Sequence, residues 1–120
     1  MAGSAPEGWH SVTPRIFARD PAALVAFLKR VFIATGDFEA ERPTELWIGD
    51  SVLLISGDDV RGAFPAALYV YEGDVDAVFD RAKAFGATII EEPRDLPYGD
   101  RRATFEDPWG NLWQVASRQG

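Results

Sequence analysis

The chain has no cysteine and a single histidine, His10, among its 120 residues. The first absence removes disulfides, thiol nucleophiles and cysteine–zinc sites. The second bears on metals, because a catalytic metal centre built on imidazoles usually needs at least two of them together with carboxylates. Basic residues are also scarce. Twelve Lys and Arg stand against 19 Asp and Glu, a formal charge of −7. A nucleic-acid binder carries a basic footprint, so none is expected as a partner. The acidic surface serves solubility and would favour cationic ligands over anionic macromolecules. No apolar run approaches the roughly 20 residues of a membrane span, and the opening MAGSAPEGWH lacks a basic-then-apolar leader pattern. The expectation is a soluble, cytoplasmic protein that engages no membrane. No GxSxG, GxGxxG or Walker A pattern is present. Glu91 and Glu92 are adjacent in a strand, point to opposite faces, and so make no acid–base pair.

What the chain does have is an ordinary globular composition, 47% apolar and 26% charged, and the length of one domain. Residues 1–10 read as a loose terminus. Ser11–Phe17 reads as a strand limited by Pro14. Asp20-Pro21 opens a helix with an N-cap and a first-turn proline, and Leu24, Phe27, Leu28 and Val31 form its apolar stripe. Lys29 and Arg30 suit its C-terminal end, and Gly36 is the expected stop. A polar strand at 37–41 and a hairpin, Glu45–Ile48 and Ser51–Ser56 about Gly49-Asp50, follow. Residues 57–65 read as a loop. The order then repeats. Ala66–Tyr71 is a strand. Asp74 caps a helix with Val75, Val78, Phe79, Ala82 and Phe85 on its apolar side and Gly86 at its end. Strands Thr88–Glu92, Arg101–Glu106 and Leu112–Ser117 are separated by the connector PRDLPYG and the turn Asp107–Gly110.

Adding 54 to the first-half numbers places Asp20 on Asp74, Ala23 on Ala77, Lys29 on Lys83 and Ile16-Phe17 on Val70-Tyr71. Two copies at this period do not make a solenoid. They predict an α+β chain of two βαβββ modules, about residues 11–56 and 66–118, forming a curved mixed sheet around a central cup that suits a small molecule. These modules, and above all DVDAVFDRAKAFGAT, PYGDR and DPWGNLW, resemble the vicinal oxygen chelate superfamily of glyoxalases, bleomycin-resistance proteins and dioxygenases, with the PhnB-like branch most similar. The resemblance covers about residues 12–118.

The resemblance implies a cup whose metal-ligand positions fall at Thr13, near Leu54, at Pro65 or Ala66, and at Gln114. These residues offer a divalent cation almost nothing, so no metal or other cofactor is expected. Bleomycin-resistance proteins likewise keep the scaffold and sequester a drug, and members of the family usually act as homodimers. Strand alternation from those positions brings Arg15, Phe17, Val52, Ser56, Ala67 and Tyr69 to the same lining. The candidate ligand-binding residues are therefore Thr13, Arg15, Trp47, Leu54, Tyr69, Tyr98, Arg101 and Gln114, with no catalytic residue assigned. Arg15 is either a ligand anchor or half of an ion pair with a carboxylate such as Glu106. Tyr98 and Arg101 in PYGDR either approach the ligand or belong to a loop tied by Asp100 to Arg101 or Arg102. Trp113 reads as core. Trp109 reads as a pocket rim or a subunit contact, and Trp47 as either core or rim. The expected function is metal-independent small-molecule binding, the alternative a lyase, isomerase or dioxygenase of the same superfamily with an atypical metal site.

Overall fold

Proline decides where the first strand can begin. Pro14 has no N–H to give a ladder, though its carbonyl accepts from the Leu54 N–H at 2.9 Å. Strand β1 accordingly spans Arg15–Ala18, starting later than the expected Ser11 and ending one residue beyond Phe17. These coordinates come from a computed structural model, which describes residues 5–58 and 62–119. The loop expected at 57–65 thus lies partly outside the described residues. The chain divides into two compact units between Phe64 and Pro65.

In the first unit, helix α1 (Pro21–Phe32) begins where Asp20 accepts from the Ala23 N–H at 3.2 Å. Its stripe of Leu24, Phe27, Leu28 and Val31 is buried, together with Val25 and Phe32. Each such side chain contributes roughly 1.5–3 kcal/mol relative to exposure. The helix does not run on to Gly36. It stops at Ile33, which adopts a left-handed conformation, φ 55°, unusual for a β-branched residue. Strands β2 (Thr44–Ile48) and β3 (Ser51–Gly57) form the expected hairpin, and β1 runs parallel to β3, giving the order β1-β3-β2. The polar segment 37–41 is not a strand. Only Thr35 bridges β2, exchanging two hydrogen bonds with Trp47 at 3.0 and 2.8 Å. This unit is therefore βαββ rather than βαβββ. A segment rich in Asp and Glu with one exposed Phe38 has no apolar face to bury.

The second unit has the full βαβββ order: β4 (Ala67–Tyr71), α2 (Val75–Ala84), β5 (Thr88–Asp95), β6 (Asp100–Glu106) and β7 (Leu112–Arg118). Asp74 caps α2 through the Ala77 N–H at 3.1 Å. Val75, Val78, Phe79 and Ala82 are buried, whereas Phe85 lies past the helix end and is exposed. The sheet order is β4-β7-β6-β5, with β4 and β7 parallel. Strand β5 runs three residues past the expected Glu92 and takes in Pro93. It can do so because β5 is the edge strand, and register shifts on both sides of Glu91 absorb the irregularity. Trp113, Phe105, Val115 and Ala103 are fully buried beneath α2. The fold is thus mixed α+β, with one mixed sheet and one helix in each unit. Among the described residues no helix is long and apolar enough to cross a membrane.

Candidate functional site

Each helix covers one face of its sheet, and strand alternation sends the odd set of side chains to the other face. In the first unit Ile16, Ala18, Leu46, Leu53 and Ile55 are buried in the core. Register then places Arg15 opposite Leu54, Phe17 opposite Ser56 and Trp47 opposite Val52 on the face turned away from α1, where Val52 and Ser56 are themselves buried. In the second unit the same parallel pairing sets Tyr69 opposite Gln114. The structure therefore brings the candidates together in two equivalent pairs, Arg15 with Leu54 and Tyr69 with Gln114. Arg15 and Tyr69 are related by the 54-residue offset of the repeat.

On the first face Arg15 donates through Nε to Ser56 Oγ at 3.0 Å, and its guanidinium carbon lies 4.9 Å from the Phe17 ring centre. Phe17 stacks on Phe64, ring centres 5.8 Å apart, and Trp47 meets Trp9 edge-on at 6.2 Å. Arg15 pairs with no carboxylate among the described residues, so the ion pair weighed for it is not formed there. Thr13 is half-buried just ahead of β1. Beside Arg15 and Ser56 opens a groove of about 250 Å³, walled by Pro21 and by Phe38 to Pro43. Sequence reasoning missed this wall, since 37–41 was expected to be a strand. The signal was Thr44, a buried hydroxyl that accepts from the Glu39 N–H at 2.8 Å and holds the loop over the sheet end.

The second face is a closed polar network. Asp100, buried at the start of β6, accepts from Tyr69 at 2.8 Å, from Tyr71 at 3.4 Å and from Arg118 Nε. Arg102 forks onto Glu91 at 2.9 and 3.1 Å and donates to the Tyr98 hydroxyl at 3.1 Å, while Thr104 donates to Glu91 at 2.9 Å. Asp100 is therefore tied to neither Arg101 nor Arg102, contrary to the loop reading. Alternation along β6 turns Arg101 away from Asp100 and Arg102. It forks onto Asp76 of α2 at 2.9 and 3.1 Å and reaches Asp95 at 3.1 Å. Arg101 is the candidate that the structure turns to the helix side of its own sheet. Glu91, Arg102 and Thr104 belong to that network but are not among the candidate ligand-binding residues read from the sequence. Their signal was period-two spacing on neighbouring strands.

These bonds set the titration. The Arg118 guanidinium holds the Asp100 carboxyl below the usual range, Arg102 does so for Glu91, and Arg101 for Asp76. Burial and then the bond to Asp100 push the Tyr69 phenol well up. Burial raises Glu72, opposed by the charge of Arg81. A carboxylate whose folded value is depressed contributes stability above its unfolded pKa, near 4, that is lost as pH falls through the folded value. Three such groups against one opposed predict that the urea midpoint falls steadily from pH 5 to pH 2. A midpoint unchanged across that window would contradict the pairing.

The positions that the resemblance gives to a metal hold Thr13, Leu54, Pro65 or Ala66, and Gln114. Between them they offer a hydroxyl and an amide but no imidazole or carboxylate. Such a set does not fit a divalent cation. Among the described residues no group of three or more His, Asp or Glu side chains is placed to hold one.

Two units, each with a parallel strand pair, a hairpin partner and a single covering helix, define the glyoxalase/bleomycin-resistance fold. The chain belongs to the Glyoxalase/Bleomycin resistance protein/Dioxygenase superfamily, whose model matches residues 8–115. TioX from Micromonospora sp. ML1 superposes with a TM-score of 0.78 at 24% identity, over 91% of this chain and 98% of TioX. Lactoylglutathione lyase from Agrobacterium tumefaciens superposes with a TM-score of 0.69 at 22% identity, over 94% and 95%. At these identities the two share the fold. An uncharacterised protein of Mycobacterium bovis is 37% identical over 54 residues, 45% of this chain and 36% of that protein. The match thus spans about a third of that relative's length.

Proposed function

We propose that the chain is a small-molecule-binding member of the superfamily, of its PhnB-like branch, working as a cytoplasmic homodimer without a metal. The observation that carries this reading is Arg15. A guanidinium pinned at Nε by Ser56, flanked by Phe17 and lacking a carboxylate partner among the described residues, stands at the mouth of a groove. A concave surface that mixes apolar side chains with convergent polar groups suits a small ligand. The further candidate contacts are Thr13, Trp47 and Leu54 in the first unit and, separately, Tyr69, Tyr98 and Gln114 in the second. The donor set at the metal positions supports binding over Lewis-acid chemistry.

A thermal-shift screen with cationic drugs and small carboxylates at matched salt tests the reading. A ligand at 100 times its Kd stabilises the folded state by about 2.7 kcal/mol. Arg15→Ala and Tyr69→Ala should reduce the ligand-induced rise far more than they lower the melting point of the free protein. Equal losses in both would assign these side chains to structure instead. A rise that appears only with an added divalent cation would favour a superfamily enzyme with an atypical metal site. Sedimentation at micromolar concentration reads the dimer directly, and a monomer there would contradict it.

A further inference from the structure

The groove of the first unit has a charge pattern that narrows what it can hold. Its wall carries Arg42, Glu39 and Glu41. Arg42 is committed, 2.9 Å from Glu45 and 4.0 Å from Glu39. Two groove charges then have no opposite partner among the described residues, the cation of Arg15 and the anion of Glu41. They stand on different walls. Arg15 comes from β1 at the sheet end, Glu41 from the loop that Thr44 anchors. With Nε occupied by Ser56, Arg15 presents its terminal N–H groups, the fork that matches a carboxylate. The same groove is also lined by Pro21, Pro43 and Phe38, the last 41% exposed although large and aromatic. The volume, about 250 Å³, lies just below that of sites for drug-sized ligands, ~300–1,000 Å³.

We infer that this groove takes a small zwitterion with an apolar body, an amino-acid-like molecule whose carboxylate meets Arg15 and whose ammonium meets Glu41. The inference rests on the binding reading above and narrows its ligand class. A purely anionic ligand would leave Glu41 facing it, and a purely cationic one would leave Arg15 facing it. Only a molecule bearing both charges answers both walls.

Three probes of similar size separate the possibilities in calorimetric titration: L-phenylalanine, 3-phenylpropionate and phenethylamine. The unaltered protein should bind phenylalanine about tenfold or more tighter than either single-charge probe, the scale of a charged hydrogen bond. Arg15→Gln should erase its advantage over phenethylamine, and Glu41→Gln its advantage over 3-phenylpropionate. Both variants change exposed side chains, and circular dichroism confirms that each is folded. Equal affinity for phenylalanine and either single-charge probe would overturn the inference, as would an order unchanged in both variants. If none of the three binds while another compound of the screen does, the zwitterion is wrong and the binding reading stands. If no compound of either set binds, both fall.

Discussion

Replacing Asp107 with alanine should cost about 3–5 kcal/mol of stability, measured by urea unfolding followed through tryptophan fluorescence. Asp107 is buried and accepts from the Trp109 and Asn111 N–H groups at 2.9 and 3.0 Å, from Asn111 Nδ2 at 2.9 Å and from Trp113 Nε1 at 2.9 Å. Asn111 in turn accepts from the Ala66 N–H at 2.9 Å, which ties the turn to the start of β4. The alanine variant strands several of these donors out of water's reach, and each costs about 1–3 kcal/mol. Asp107→Asn keeps the volume and one acceptor and should lose less. The consequence reaches the open face, because this turn sets the register that holds Gln114 beside Tyr69. A loss below about 1 kcal/mol for Asp107→Ala would show that water or a rearranged turn replaces the carboxylate.

Gly36→Ala should be nearly as damaging, by about 2–4 kcal/mol. Gly36 has φ +132°, and a Cβ there would lie 2.4 Å from the Glu45 carbonyl oxygen. That oxygen is backbone of β2, so no side chain can swing aside. The paired bonds between Thr35 and Trp47 would have to open. Gly49→Ala is the control. Its φ is +58° in open space, so it should cost about 1 kcal/mol, the penalty of the left-handed backbone alone. If the two variants unfold at the same urea concentration, the close approach at Gly36 is not what the residue is for.

Gly36 also shows where sequence reading runs out. A glycine shortly after an apolar stripe looks like a helix stop, yet the helix ends three residues earlier on Ile33 and the glycine serves a contact with a strand still to come. Local periodicity carried both helices, their Asp caps, the hairpin and the buried strands, because each of those depends on residues within a few positions. The parallel pairings of Arg15 with Leu54 and Tyr69 with Gln114 were foreshadowed by alternation and by the repeat. The partners of Arg101, Arg102 and Asp100 were not. Three charged or acidic residues in succession alternate faces in a strand, and which face meets α2 depends on a helix more than 15 residues away. The groove was illegible for a similar reason: its loop is held by one buried threonine hydroxyl and not by an apolar pattern.

The proposed binding of a ligand without a metal is tested most directly by one titration. Protein stripped with a chelator is titrated calorimetrically with the best compound of the screen, then again after adding nickel, zinc, manganese or ferrous iron. The same Kd is expected in every case, within experimental error, with no stoichiometric metal retained after dialysis. Binding that appears only with one cation, lost again on chelation, would contradict it.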